Sequence, residues 1–262
     1  IADTSVLAHA DYALQLIDEL GISRIHVVGF SMGGGVAAHL ADRAPDRVAS
    51  LTLLASLGPQ EFELFGDYTL NHAVHQAQLL AIQVLRFCFP HFGAYDRIPL
   101  DHHYARNFLD TDQRGLRGAF ERVQCPTLVL HGDRDFLVPV ESAVEISRLV
   151  PQSNLQRVAD GDHFMIWTRT VDIADRIEAF LEEAEEGRAP ARASARPERV
   201  TAARLPFDRR TVPTLAGFAL IAAIFVIAAA TLVSEDLTCI AVGIVVADGR
   251  LSFMAGVAGC FL

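Results

Sequence analysis

The chain has 262 residues, 51% of them hydrophobic, which fits one large domain, or one domain with a smaller piece, and excludes a disordered or collagen-like chain. A formal net charge of -10 excludes a general nucleic-acid binder, which carries a basic excess, and four cysteines are too few for a disulfide scaffold. Every basic residue is an arginine: residues 1–186 hold fourteen against 27 acids, residues 187–210 hold seven against two, and the rest is almost uncharged.

The chain opens at Ile1, with no charged stretch leading into an apolar run, so no signal peptide is expected. In residues 6–20, Val6, Ala10, Ala13, Leu14, Ile17 and Leu20 recur at helical spacing, and Gly21 stands where a helix stops. Residues 24–30 read as a buried strand, 32–44 as a helix rich in small residues and 48–55 as a second buried strand. This alternation predicts an α/β fold, a parallel sheet with helices on its faces. Residues 56–123 break the rhythm with a helix near 70–88, the interruptions Pro90, Gly93 and Pro99, and a helix near 101–122. They read as an insertion, a lid over the sheet. The rhythm returns with a strand at 125–131, a helix near 140–149, a strand near 154–159 and a long helix near 164–186.

Residues 187–211 are rich in Ala, Arg and Pro without apolar periodicity and read as a mobile linker between a domain at 1–186 and a membrane segment at 212–262. Residues 212–233 are 22 residues without a charge, enough for one membrane-spanning helix. The apolar stretches 237–247 and 251–262, separated by Asp248-Gly249-Arg250, read as a re-entrant element or a helical hairpin. The arginines before the span place the linker and the preceding domain on the cytoplasmic side of a cell inner membrane. Cys88, Cys125, Cys239 and Cys260 show no pairing pattern, in keeping with that compartment.

Gly29-Phe30-Ser31-Met32-Gly33 matches G-x-S-x-G between a predicted strand and a predicted helix. A serine on such a turn has a strained backbone, an exposed hydroxyl and a helix N-terminus aimed at developing negative charge. Side chains on its flanks are expected to collide with strand and helix, and Gly34 and Gly35 to let the helix approach the sheet. The backbone N–H of Met32 is then an oxyanion donor. His72 and His75 lie three apart on a helix and His102 and His103 are adjacent. With no third ligand at a telling spacing they are read as polar lid positions, so no metal and no cofactor is implied. Phe164, Met165 and Trp167 are left open between pocket and core.

VVGFSMGGGVAAHLADRAPDRVASLTLLAS resembles the elbow strand, helix and following strand of the α/β-hydrolase superfamily, and LVLHGDRDFLVP (128–139) resembles its acid-bearing turn; the resemblance covers about residues 5–185. It implies a Ser-His-Asp triad: Ser31 as nucleophile, Asp135 as acid with Asp133 as competitor, and His163 of DGDHF as base, where Asp162 is inserted between the usual Gly and His. It also implies earlier strands and a second oxyanion donor before residue 1. The implied activity is a membrane-tethered serine hydrolase acting on a small acyl substrate, an ester, thioester or lactone. The alternatives are an acyltransferase, or a transport or scaffold protein with an inactive hydrolase-like domain. Residues 234–262 resemble the start of a DedA-like (VTT, SNARE-associated) membrane domain, which makes Glu235 and Asp236 either functional acids or a polar helix boundary.

Overall fold

A computed structural model describes residues 3–88, 102–215, 220–221, 223–224 and 235–261. Four strands, β1 (Ile25–Phe30), β2 (Val48–Leu54), β3 (Thr127–Gly132) and β4 (Asn154–Val158), form one parallel sheet in the order β1-β2-β3-β4. The strands fall where the sequence placed them, β1 to β3 on apolar runs and β4 on a mixed segment. β2 and β3 are buried at every position, because helices cover both faces, whereas the edge strands β1 and β4 mix buried and exposed residues. Phe30 pairs with Leu54, Leu54 with Leu130 and Leu130 with Gln156, so the strands end level with one another. The residues just beyond them share one edge of the sheet.

Helix α1 (Val6–Glu19) begins where the Ser5 hydroxyl accepts the Ala8 N–H and stops before Gly21, at φ 64°. With α2 (Met32–Arg43), α5 (Leu116–Arg122) and α6 (Val140–Leu149) it covers one face, burying Ala10, Leu40, Phe120, Ile146 and Leu149 against Leu51, Leu53 and Val129. The other face, Leu54, Leu128, Leu130 and Val158, receives Met165, Ile173 and Phe180 from α7 (Met165–Thr168) and α8 (Thr170–Glu185). Each such side chain contributes about 1.5–3 kcal/mol of burial, opposed by its ordering entropy. The single helix expected at 164–186 is interrupted at Arg169, at φ -133°.

In the segment read as lid, α3 (Tyr68–Cys88) packs on α4 (His102–Asp110) through Leu79, Ile82 and Ala105. Pro90, Gly93 and Pro99 lie outside the described residues. The helix expected near 101–122 is broken, because the Asp112 carboxylate accepts the Arg114 N–H and turns the chain. Helix α5, on the far side of that break, is body rather than lid: Leu116, Phe120 and Val123 are completely buried in the main core.

Residues 187–211, expected to be a mobile linker, are instead laid along the body as a strap containing the short helix α9 (Pro197–Ala203). The Arg192 guanidinium donates to the carbonyls of Val123 and Leu149, and that of Arg199 to Ser153 (2.6 Å) and Ser147 (2.8 Å). Arg148 of α6 reaches out to the carbonyls of Ala202 (2.7 Å) and Leu205 (3.0 Å). Composition does not show this docking, because Arg192 and Arg199 spend their charge on peptide carbonyls, which no periodicity reveals.

The predicted span 212–233 lies largely outside the described residues. Among the described residues no helix is long and apolar enough to cross a membrane. Beyond it, α10 (Glu235–Ala247) and α11 (Phe253–Phe261) form a helical hairpin that turns at Gly249, φ 75°. Val242, Val245 and Leu251 of the hairpin pack with Phe65, Leu70 and Val74, in and just before the first turns of α3. Arg250, buried there, donates to the carbonyl of Leu64.

Candidate active site

Three loops at the level ends of β1, β3 and β4 build the site. Beyond β1 the backbone enters a left-handed turn at Ser31 (φ 52°, ψ -120°), a conformation that costs a side-chain-bearing residue about 1–3 kcal/mol. The Ser31 N–H donates to the carbonyl of Leu54 (2.9 Å), and its own carbonyl accepts from Gly34 and Leu57 (3.0 Å each). Gly29 is needed for this turn, since a Cβ there would lie 2.4 Å from the carbonyl oxygen of Gly33. The requirement expected on both flanks holds on this side alone, because a Cβ at Gly33 would meet nothing within 4 Å. In the same way Gly34 is pressed against Ser56, whereas a Cβ at Gly35 would make only ordinary contacts. The Met32 N–H lies in the first turn of α2, where a helix leaves donors without an intrahelical partner.

β3 ends at Gly132, and the following loop carries Asp135. Its Oδ1 accepts the N–H groups of Leu137 and Val138 (2.9 Å each), and its Oδ2 accepts from His163 Nδ1 (2.8 Å). Burial pushes this carboxyl up. The hydrogen bonds from His131, His163 and the Val138 amide, with the charge of His163, outweigh burial and hold it well below the usual carboxylate range. Asp133, the competing acid, turns away and pairs with Arg157 at 2.6 Å.

The loop after β4 brings in His163, which is almost fully buried, with Nε2 3.0 Å from Ser31 Oγ. Two glycines let this loop and the acid loop touch: a Cβ on Gly132 would lie 2.2 Å from the carbonyl oxygen of Gly161, which accepts the Arg134 N–H (2.8 Å). The inserted Asp162 does not disturb the geometry. Its Oδ1 accepts the Phe164 N–H (2.9 Å), a local turn around His163. With Nδ1–H given to the carboxylate, Nε2 carries the lone pair that faces the serine hydroxyl.

The open choice among the residues after His163 resolves by position. Met165 is core, while Phe164 (42% exposed) and Trp167 (65%) stand at the site. The Phe30 ring lies 5.2 Å from both the His163 and Trp167 rings, Phe164 is 5.8 Å from Trp167, and Phe136 continues the row at 6.0 Å from Phe164. Phe30 and Phe136 escape a reading of the sequence because each stands at a position that its motif leaves unspecified. It also missed His131, a fully buried polar residue at the end of an apolar strand, beside Asp135.

The remaining histidines have other partners. His75 Nε2 lies 3.0 Å from Glu63, His72 stacks on Tyr68, and His102 Nε2 is 3.2 Å from the Gln83 amide. Among the described residues no three potential metal ligands converge. Cys88, Cys125 and Cys239 form no disulfide among the described residues, and burial pushes the Cys125 thiol up to about 11.

The family model for the alpha/beta hydrolase fold matches residues 2–83 and 88–170. The dihydrolipoyllysine-residue acetyltransferase component of the acetoin cleaving system of Cupriavidus necator is 31% identical over 185 residues, 62% of this chain and 47% of that protein. The 2-hydroxymuconate semialdehyde hydrolase of Pseudomonas putida is 27% identical over 199 residues, 67% of this chain and 68% of that one. The chain thus spans about half the length of the first of these relatives and about two thirds of the second. A thermophilic esterase from Thermogutta terrifontis superposes with a TM-score of 0.55 at 21% identity, over 69% of this chain and 73% of the esterase, a likeness of fold. By the family match and the order of its strands, the chain belongs to the α/β-hydrolase fold family.

Proposed function

We propose that this chain is a serine hydrolase of small acyl substrates (esters, thioesters or lactones) acting through Ser31, His163 and Asp135. The observation that carries the reading is one line of contacts, Ser31 Oγ to His163 Nε2 at 3.0 Å and His163 Nδ1 to Asp135 Oδ2 at 2.8 Å, starting from a strained turn. His163 removes the hydroxyl proton as Oγ attacks the acyl carbon, then returns it to the leaving alcohol, thiol or ring oxygen. Water, deprotonated by the same imidazole, releases the acid. Asp135 holds the imidazole tautomer and balances the imidazolium, and the Met32 N–H faces the oxyanion. The half-buried Phe30 with the exposed Trp167, Phe164 and Phe136 favours an apolar acyl or alkyl group on the substrate. A fluorophosphonate probe tests the reading. Labelling of the wild type and none of Ser31→Ala is expected; equal labelling of both would overturn it.

Acyl transfer to an alcohol or thiol in place of water is the second reading, favoured by the acetyltransferase name of one relative. Product partitioning with added acceptor alcohol decides between the two. Residues 212–233 are proposed to cross the inner membrane as the start of a DedA-like domain, with the hydrolase domain cytoplasmic. Support comes from 22 uncharged residues preceded by seven arginines. Release of the full-length protein by carbonate washing would refute the span, and alkaline phosphatase activity of a reporter fused ahead of the hydrolase domain would refute the orientation.

A further inference from the structure

His131 is the last residue but one of β3, and its side chain is sealed from solvent. Its Nε2 lies 3.0 Å from the carbonyl oxygen of Val138 and 3.3 Å from Asp135 Oδ2, so a single N–H faces both acceptors. Its Nδ1 has no hydrogen-bond partner among the described residues. Leaving a buried acceptor unpaired costs stability, and a leucine would fill an apolar strand end without that cost.

The contacts close a ring. Asp135 Oδ1 accepts the Val138 N–H, the Val138 carbonyl faces His131 Nε2, and the same nitrogen faces Asp135 Oδ2. Oδ2 is also the oxygen that accepts from His163. The imidazole therefore bolts the acid loop to β3 and meets the same carboxylate oxygen as His163. We infer that His131 is a positioning residue: by holding Asp135 Oδ2 and the Val138 carbonyl together, it fixes the direction in which the carboxylate meets His163 Nδ1–H.

The inference rests on the triad reading, and its test separates the two. His131→Phe keeps the ring volume and removes the donor, His131→Gln restores a donor near the place of Nε2, and His131→Asn offers an amide too short to reach. The first readout is the low-field proton resonance of the His163 Nδ1–H, which needs no turnover. It is expected to persist in wild type and Gln, and to shift upfield or vanish in Phe and Asn. The second readout is kinetic. Phe and Asn are expected to lower kcat on the order of 10–100-fold with KM within about twofold, and Gln to recover most of the loss, in the range found when a partner orienting a functional histidine is removed. If Phe does not fold, the Gln and Asn pair decides. A resonance and kcat unchanged in Phe, or identical in Gln and Asn, overturn the positioning role, whatever happens to melting temperature. A wild type that turns over no ester, with the resonance still following the donor, refutes the hydrolase reading and leaves the positioning role standing.

Discussion

The catalytic edge and the strap on the body are both held by charged side chains reaching segments distant in sequence, but the partners differ. At the edge an anion is enclosed by donors: Asp135 is contacted by two amides and two imidazoles, each aimed at one oxygen. In the strap, cations lie over acceptors. Arg199 and Arg192 cover the carbonyls of Ser147 and Leu149 in the last turn of α6, where the helix leaves acceptors open. The first arrangement fixes a direction and suits chemistry; the second neutralises exposed peptide groups and suits attachment. Changes in the first should therefore be read in rate, and changes in the second in stability.

The largest test of that contrast is Ser31→Ala, expected to lower kcat by about 10⁶ with an unchanged fold, measured by ester hydrolysis and circular dichroism. Asp135→Asn comes next, with a loss of about 10⁴ in kcat, while Asp133→Asn should stay within a few-fold, since the Asp133 carboxylate pairs with Arg157. A loss for Asp133→Asn matching that of Asp135→Asn would break the assignment of the acid. Gly132→Ala forces the acid and histidine loops apart and is expected to cost activity and about 1–3 kcal/mol of stability, seen in denaturant melts. Arg199→Ala should lower stability by about 1–3 kcal/mol and expose the strap to limited proteolysis, with kcat unchanged. A kcat that fell with the strap would erase the distinction between the two regions.

The smallest effect is in pH. The carboxyl of Asp135 is held low in the folded state, so its stabilising contribution is complete above the unfolded value, about 3.9, and is lost as pH falls toward the folded value. Melting temperature should therefore drop on acidification below about pH 4, and less steeply in Asp135→Asn. Identical acid limbs would show that the carboxylate gains nothing from its donors.

What could be read from the residues was what repeats or what geometry demands. Apolar runs marked β1, β2 and β3 because buried parallel strands are rich in continuous hydrophobicity, and G-x-S-x-G marked the elbow because the turn needs Gly29. The acid was named only by resemblance. Nothing in DRD says which aspartate turns inward, and that is decided by the amides of Leu137 and Val138. The break at Asp112 and the docking of the strap were hidden because each rests on a side chain meeting backbone, a contact with no period. Gly33 was overread for a related reason: the motif does not say which glycine has a neighbour.

The contact between the hairpin and the start of α3 has a mechanical consequence. Phe65, Leu70 and Val74 lie against Val242, Val245 and Leu251, and Arg250 is pinned to the Leu64 carbonyl. The first turns of α3 therefore cannot swing away from the body alone. They either carry the hairpin with them or part an apolar seam and take the Leu64 carbonyl from a buried guanidinium. A force applied at the far end of the chain is thereby transmitted to the base of the α3–α4 layer, so that a pull on one moves the other.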